Sequence, residues 1–410
     1  MATIKPFMAY RPRTDIADRV AALPYDVYNR AEAKAVVEAN SLSFLRIDRA
    51  ETAFPDDVDT YAPCVYQKAK ELLDEMIDKG EYIMEQAPMY YIYELIMDGR
   101  SQTGIVACAS IEDYENGVIK KHENTRAEKE LDRITHVDTC NAQTGPIFLA
   151  YRAKEDIDRL VDRIKSGTPV YSFVSSDGIG HNVWLIDASE DIRVISESFE
   201  SMNDIYIADG HHRAASAVKV GIKRRQENKE HNGSEEYNYF LSVLFPDNQL
   251  KILPYNRVVR DLNGYSEEEY LDKITEYFDV FSEEQMYSPQ KKGTFGMYLD
   301  GRWYRLVAKQ DILSDDPVKG LDVSILQDNL LGPILGIDDP RTDTRIDFVG
   351  GIRGLQELEK RANSDMKVAF SMYPTSIVEL FQVADAGMLM PPKSTWFEPK
   401  LRSGIFIHKL

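Results

Sequence analysis

The residues best suited to binding phosphate form one short turn near the middle of the chain. Residues 209–213 read Asp-Gly-His-His-Arg and are called the DGHHR turn below. Residues 204–208 before it are typical of a short strand, and residues 213–220 after it are typical of a helix rich in small side chains. A turn from strand to helix presents free backbone N–H groups and the positive end of the helix dipole. This geometry favours an anion such as phosphate.

The side chains of the turn strengthen this prediction. Gly210 has no Cβ and lets a ligand approach the backbone closely. His211 and His212 supply hydrogen-bond donors, and Arg213 can hold a phosphate with two parallel hydrogen bonds. The chain lacks the GxGxxG and GxxxxGK(S/T) patterns of other nucleotide-binding proteins, so this turn is its best nucleotide site.

Two other interpretations of the turn remain open. In the first, Asp209 only caps the helix and the histidines pack in the core. Capping accounts for the acidic residue, but not for His-His-Arg in succession in a chain with only seven histidines. In the second, Asp209, His211 and His212 ligate zinc. Adjacent histidine side chains point apart on most backbones, so phosphate is the favoured ligand.

A second cluster of polar residues is the HENT segment, residues 122–125, before a predicted helix at residues 126–138. Thr125 and Glu128 have the spacing of a capping box. Capping leaves four residues without an explanation: Lys121, His122, Glu123 and Arg126. They place an acid, a base and cations at a second positive helix end. Glu123 is interpreted either as a general base for a hydroxyl nucleophile or as a solvated surface carboxylate.

The composition excludes several classes of protein. The net charge of −19 argues against duplex DNA and anionic membranes as partners, because both need a basic surface. Three dispersed cysteines without a CxxC pair fit a reducing compartment. The first residues do not resemble a signal peptide, and no apolar run approaches the length of a membrane span. The sequence therefore predicts a cytoplasmic protein without nucleic-acid or membrane partners.

The predicted fold class is mixed α/β, of the α+β kind. Strand-like runs flank the dipeptides Asp98-Gly99 and Asp300-Gly301, which predicts two β-hairpins, and a looser hairpin surrounds Asp177-Gly178. Helical periodicity marks residues 61–79, 153–166, 266–278 and 321–335. Hairpins mixed with helices argue against a doubly wound sheet.

A change in sequence character near residue 262 predicts two regions, 1–262 and 263–410, with a C-terminal tail that packs back on the core. In the second region's tail, four residues are further potential ligand contacts: Lys393, Ser394, Thr395 and Lys400. Arg257 follows a strand and is predicted at a strand-to-loop edge, where ligand contacts often lie. Residues 23–27 are interpreted as a turn before a helix capped by Asn29. Asp132-Arg133 is interpreted as a surface or interface salt bridge.

The motifs together resemble the bacterial and archaeal "domain of unknown function 1015" family. The matching segments lie in the same order along nearly the whole chain. They are PYDV (24–27), HENT (122–125), DR (132–133), PIFLAY (146–151), ADGHHR (208–213), LPYNR (253–257) and PPKSTWFEPKLRSG (391–404).

The DGHHR turn also resembles the nucleotide motif of the ParB and sulfiredoxin superfamily, which includes a free serine kinase. This resemblance implies a ParB/sulfiredoxin-like nucleotide-binding core, with additional hairpins and helices. It implies that residues 210–213 contact nucleotide phosphates and that Asp209 lies near the transferred phosphoryl group or its Mg²⁺. Sulfiredoxin has a cysteine in this turn where the chain has His211 or His212, which argues against sulfinic-acid reduction.

The sequence is therefore compatible with three functions. The first is a kinase that uses ATP or ADP with Mg²⁺ to phosphorylate a small hydroxyl metabolite, with free L-serine as the leading acceptor. In it Asp209 neutralises charge, Glu123 orients the hydroxyl, and the remaining nucleotide contacts are His122, Arg126 and Arg257. The second is a nucleotide-binding regulator without phosphoryl transfer. The third is a metal-dependent hydrolase using His122, His211 and His212. The sequence does not fix the oligomeric state, and a homodimer is among the states it allows.

Overall fold

The computed structural model describes residues 1–125 and 127–410, which form two compact units. Unit 1 is Met1–Leu250 together with Pro399–Leu410, and unit 2 is Lys251–Glu398. Residues 251–262, which the sequence-based boundary placed with the N-terminal region, lie in unit 2 because their strands pair there.

Unit 1 is built around a mixed nine-stranded sheet. In chain order, the strands of this unit are β1 (Ile4–Lys5), β2 (Tyr10–Pro12), β3 (Tyr82–Met84), β4 (Tyr90–Met97), β5 (Arg100–Ser110), β6 (Ile119–Lys120), β7 (Ala142–Gln143), β8 (Ile147–Tyr151), β9 (Tyr171–Val174), β10 (Gly180–Ile186), β11 (Ile205–Asp209), β12 (Tyr239–Pro246) and, after unit 2, β21 (His408–Lys409). The order across the large sheet is β6-β11-β8-β12-β5-β4-β10-β9, and β1 pairs with β5. Strands β6 and β11 are parallel, as are β8 and β12, while the other neighbours are antiparallel.

Unit 1 contains nine α-helices within the described residues. They are α1 (Ala17–Val20), α2 (Arg30–Ala39), α3 (Leu45–Asp48), α4 (Pro63–Asp78), α5 (Ile111–Glu115), α6 (Ala127–Cys140), α7 (Glu155–Lys165), α8 (Ser189–Glu200) and α9 (His211–Glu227). One core packs apolar residues of α7, α8 and α9, such as Leu160, Phe199 and Ala214, against sheet residues. A second core joins α3 and α4 with the end of α6.

Unit 2 contains a six-stranded antiparallel sheet. The strands of this unit are β13 (Ile252–Leu253), β14 (Tyr255–Val259), β15 (Phe278–Glu283), β16 (Thr294–Leu299), β17 (Arg302–Ala308), β18 (Ile346–Gly350), β19 (Val368–Ser371) and β20 (Trp396–Phe397). The sheet order is β15-β17-β16-β19-β14-β18, and β13 pairs with β20. The helices are α10 (Glu267–Ile274), α11 (Asp322–Leu326), α12 (Gly354–Ala362) and α13 (Ile377–Asp385).

The predicted hairpins and fold class are confirmed. Strands β4 and β5 are joined at Asp98-Gly99, and β16 and β17 at Asp300-Gly301. All four turn residues have positive φ, as a type I′ turn requires. The looser hairpin around residues 176–178 is present as β9 and β10. The two units are mixed α/β, with hairpins and helices rather than a doubly wound sheet.

Two local predictions about helices have different outcomes. Asn29 caps α2 as predicted, and Glu32 completes a capping box with it. The helix predicted at residues 321–335 is shorter in the structure. The α-helix α11 ends at Leu326, and one π-helical turn follows it to Leu331. Among the described residues, no helix combines the length and the apolar character needed to cross a membrane.

The C-terminal segment Pro399–Leu410 is part of unit 1. Strand β21 pairs with β7, and Nη2 of Arg402 lies 2.7 Å from Oδ1 of Asp177. Arg402 is also buried. These contacts bring a segment that follows unit 2 in the chain into the body of unit 1.

Candidate functional site

The DGHHR turn connects the end of β11 directly to the start of α9. The pairing of β11 with β8 shifts register between Ile207 and Asp209, which is a β-bulge at the last residues of the strand. Gly210 follows with φ 95° and ψ 30°, and α9 begins at His211. The helix runs to Glu227, well beyond the predicted residue 220.

The left-handed conformation of Gly210 keeps the start of α9 open. Gly210 occupies the N-cap position, and no described side chain makes a capping hydrogen bond there. The predicted capping role of Asp209 is therefore wrong, because Asp209 lies one residue too early and belongs to the strand. The first N–H groups of a helix have no partner within the helix. Such groups are donors that an anion can accept from.

Asp209 lies between two cations. Its Oδ2 is 3.5 Å from Nζ of Lys400 and 3.7 Å from Nη2 of Arg213. Burial would raise the pKa of Asp209, but the positive charges of Lys400 and Arg213 outweigh it and lower this pKa to about 2. Asp209 is therefore ionised at neutral pH. Arg213 is held in place because its Nη1 donates to the carbonyl of Pro146 at 2.6 Å.

The HENT segment meets the DGHHR turn at His211. The rings of His122 and His211 pack edge to face with centroids 4.5 Å apart. The backbone N–H of His122 points to Nε2 of His211 at 3.5 Å, which assigns the ring proton to Nδ1. This Nδ1 lies 3.8 Å from Oε2 of Glu123, whose side chain is 42% exposed. His211 therefore joins the predicted general base to the turn.

Both central histidines are neutral near neutral pH. Burial lowers the pKa of His122 to about 4, although a hydrogen bond with the backbone of Ile207 and the charge of Asp209 oppose this shift. Burial, and then the neighbouring His122, lower the pKa of His211 well below its usual value. His211 can therefore donate or accept a hydrogen bond, but it adds no positive charge.

The other predicted site residues have separate positions. His212 is on α9, where its carbonyl accepts from Oγ of Ser216 at 2.7 Å. Arg126 lies outside the described residues. Arg257 is in unit 2, and it is buried within β14 rather than at a strand edge, because β14 pairs on both sides. Burial lowers the pKa of Arg257 to about 10.

The side chain of Thr125 contacts a carboxylate of α6. The hydroxyl of Thr125 donates to Glu130, which also pairs with Lys219 of α9. Glu128 is exposed, whereas Glu130 lies on the buried face of α6. These contacts fix the HENT segment against α9, because Oγ of Ser216 also donates to the carbonyl of Glu130 at 3.2 Å.

Arg133 is buried, whereas the sequence was interpreted as placing Asp132-Arg133 in a surface or interface salt bridge. It is 8% exposed, and its guanidinium carbon lies 3.9 Å from the ring centroid of Tyr25. Its partner is Asp132, with Nε to Oδ2 at 2.9 Å. The sequence did contain a signal, because Glu130, Arg133 and His136 recur at the spacing of one helical face, and that face is buried.

The matching family model is described as "Protein of unknown function (DUF1015)" and covers residues 4–324. The chain belongs to the DUF1015 family. The match includes the HENT segment and the DGHHR turn, and it ends before the PPKSTWFEPKLRSG segment. No curated protein matches this DUF1015 chain in sequence.

Several solved structures align with this DUF1015 chain at low similarity. A free serine kinase in complex with AMP is 12% identical, covers 73% of this chain and 91% of its own, and has a TM-score of 0.37. A conserved hypothetical protein from Pyrococcus furiosus is 13% identical over 74% and 94% of the two chains, with a TM-score of 0.35. A C-terminally truncated SbnI from Staphylococcus aureus is 9% identical over 72% and 85%, with a TM-score of 0.40.

The donor set for a hydrolytic metal centre is not assembled in the part of this DUF1015 chain that the structure describes. No group of three or more His, Cys, Asp or Glu side chains is placed there to hold a metal ion. This includes His122, His211 and His212, the set predicted for the hydrolase. A Mg²⁺ ion needs fewer protein ligands, because it commonly binds one or two carboxylates and completes its coordination shell with phosphates and water. Ionised Asp209 meets that requirement.

A Gly210→Ala substitution tests the close packing of the turn. A Cβ at this position would lie 3.1 Å from both Nε and Nη2 of Arg213, on a backbone with φ 95°. We expect a loss of about 1–2 kcal/mol in the free energy of unfolding and a weaker nucleotide affinity, because the guanidinium is displaced. Denaturant unfolding and calorimetric titration with ADP measure the two effects.

Gly80→Ala is the matched control for that experiment. Gly80 has a positive φ of 66°, but a Cβ there would meet nothing within 4 Å. Gly80→Ala should lower the free energy of unfolding about as much as Gly210→Ala does, and it should leave nucleotide affinity unchanged. Equal nucleotide affinity in Gly210→Ala and Gly80→Ala would contradict a role for this packing.

Acid should destabilise this DUF1015 chain through His122. The pKa of His122 is about 4 in the folded chain and about 6.5 in an unfolded one. Between these values the unfolded chain binds more protons, so the free energy of unfolding falls as the pH is lowered from 6.5 towards 4. The difference between the two pKa values of His122 corresponds to a loss of about 3 kcal/mol in the free energy of unfolding.

Urea unfolding at about pH 7 and about pH 4.5 checks this linkage in wild type and His122→Gln. The variant should lose less stability on acidification than the wild type. An unchanged pH dependence in His122→Gln would rule out the linkage.

Proposed function

We propose that the chain is a nucleotide-dependent kinase for a small hydroxyl metabolite, with free L-serine as the leading acceptor. The observation that carries this proposal is an ionised Asp209 at the start of α9, with Lys400 and Arg213 within 4 Å of its carboxylate. Phosphoryl transfer depends mainly on positioning and on neutralising charge, and this turn supplies groups for both.

The nucleotide phosphates would lie against the first N–H groups of α9. Arg213 and Lys400 would supply the positive charge, and the helix dipole adds to it. The neutral ring of His211 would donate or accept a hydrogen bond without repelling a cation. This combination supports ATP or ADP as the donor, because these groups bind phosphates and do not distinguish a diphosphate from a triphosphate.

Glu123 is the proposed base for the acceptor. Its half-exposed carboxylate is adjacent to Nδ1 of His211, so it is accessible to a substrate and anchored to the turn. In the transfer step the acceptor oxygen forms a bond to the terminal phosphorus, and the phosphoanhydride P–O bond breaks. The hydroxyl proton passes to Glu123, and the shortened nucleotide leaves.

Asp209 would hold Mg²⁺ together with the nucleotide phosphates. When bound, the ion supplies charge neutralisation on the phosphoryl oxygens. L-serine as the acceptor rests on the resemblance of the DGHHR turn to the superfamily that contains a free serine kinase. The nucleotide site itself rests on the geometry of the turn.

The test is incubation of the full chain with Mg²⁺, L-serine and either ATP or ADP, followed by detection of O-phosphoserine by ³¹P NMR. We expect product with at least one nucleotide and none when the nucleotide is omitted. Nucleotide binding without any O-phosphoserine would overturn the serine kinase and leave the regulator hypothesis. Failure of both ATP and ADP to bind would overturn the phosphate site.

A further inference from the structure

Two adjoining cavities lie in unit 1, and the smaller one reaches Arg213 of the DGHHR turn. The smaller, of about 30 Å³, is lined by Arg213 together with Tyr25, Asp48, Arg133 and His136. The larger, of about 210 Å³, shares the last four of these residues. Because a water molecule takes about 30 Å³ in the liquid, the first admits one small group. The second has room for a small metabolite.

Arg133 provides a positive group in both cavities. Its Nε and Nη2 lie 2.9 Å from the same oxygen of Asp132, and Oδ1 of Asp132 accepts from the hydroxyl of Tyr66 at 2.9 Å. The Tyr25 ring covers the guanidinium. Nη1 makes no hydrogen bond with a described residue. A planar, oriented guanidinium of this kind is suited to a carboxylate.

Asp48 provides a negative group in the same two cavities. It is 5% exposed, and its Oδ1 accepts a hydrogen bond from Thr144 at 2.9 Å. Within residues 1–125 and 127–410, no Lys, Arg or His forms an ion pair with it. Burial, and then the charge of Arg133, lower the pKa of His136, so this neighbour is neutral. Asp48 interacts with the charge of Arg133 without a direct ion pair, and an ammonium group bound here would give its carboxylate one.

We infer that the larger cavity is the acceptor pocket and binds a small amino acid as a zwitterion, with its carboxylate on Arg133 and its ammonium group on Asp48. This inference rests on the proposed function, because it assigns the acceptor of the same transfer. The smaller cavity then leads the hydroxyl of the amino acid towards Arg213. The exposed residues Tyr61 and Lys129 border the larger cavity and mark its entrance.

The test measures binding of L-serine to the full chain by calorimetry in the presence of ADP. 3-Hydroxypropionate lacks only the ammonium group of L-serine and ethanolamine lacks only the carboxylate, so each should bind about tenfold more weakly or worse. Arg133→Gln should lower L-serine affinity by about tenfold and remove the preference over ethanolamine. Arg159→Gln, at an exposed arginine of α7, is the matched control and should bind as wild type.

Asp48→Asn keeps the inference testable if Arg133→Gln does not fold. It preserves the shape and the contact with Thr144, and it removes a buried charge. It should therefore melt at an equal or higher temperature while L-serine affinity falls about tenfold. Wild-type L-serine affinity in folded Asp48→Asn would overturn the assignment.

The two proposals fail in different ways. A chain that binds ADP but not L-serine contradicts the acceptor pocket and leaves the nucleotide site intact. A chain that binds neither ATP nor ADP contradicts the proposed function. L-serine binding that is lost in Asp48→Asn, with ADP affinity unchanged, supports the pocket.

Discussion

Replacing Asp209 by Asn should lower the rate of O-phosphoserine formation by about 10²–10³-fold and leave nucleotide affinity, measured without Mg²⁺, equal or higher. Asn has the same shape but no charge, and electrostatic groups at a reacting centre are typically worth this much. Asp209 is ionised because Lys400 and Arg213 lower its pKa to about 2. Removing its charge also removes repulsion between the carboxylate and the phosphates, so ground-state binding should not suffer.

The kcat of O-phosphoserine formation and the Kd of the nucleotide should be measured separately. Asp191→Asn is the matched control, because Asp191 also pairs with an arginine, at 2.5 Å from Nη2 of Arg163, but lies on α8. It should keep the wild-type kcat. A wild-type kcat in Asp209→Asn would mean that Asp209 has only a structural role.

Replacing Arg213 by Ala should weaken ADP binding by about 10–100-fold. Arg213 has its Nη1 anchored on the carbonyl of Pro146 and its guanidinium folded over Gly210, beside the open start of α9. A charge-assisted hydrogen bond contributes about 1.5–3 kcal/mol, which corresponds to this range. Arg213→Lys should recover part of the affinity, because it restores the charge but not the two-pronged geometry.

Calorimetric titration with ADP measures this effect. Arg225→Ala is the control on the same helix, because Arg225 lies near the far end of α9 and donates to Asn238 at 2.5 Å. Its ADP affinity should equal that of the wild type. If Arg213→Ala binds ADP as tightly as Arg225→Ala, phosphate does not bind at this turn.

Local features of the fold could be predicted because their causes are local. The Asp98-Gly99 and Asp300-Gly301 dipeptides adopt positive φ with little strain, so they identify hairpins without knowledge of the rest of the chain. The DGHHR turn is local in the same way. Gly210 follows the strand directly, and the helix begins at the next residue.

The surroundings of the turn depend on pairings between distant segments. Lys400 was predicted as a ligand contact, but its position beside Asp209 results from the return of Pro399–Leu410 to unit 1. The burial of Arg133 could not be predicted, because an adjacent Asp-Arg pair is compatible with a surface, an interface or a buried position. Its burial beneath Tyr25 depends on a contact between residues more than a hundred positions apart.

The interrupted path of unit 1 has a consequence for synthesis on the ribosome. Pro399–Leu410 emerges only after all of unit 2 has been translated, yet it carries Lys400, one of the two cations beside Asp209. A nascent chain can therefore form β11 and α9 early, but their junction lacks the positive charge of Lys400 until that residue is translated. Premature termination anywhere before residue 400 yields a product in which Asp209 lacks that neutralising charge. The charge at this junction is therefore complete only once Lys400 has been translated and has returned to unit 1.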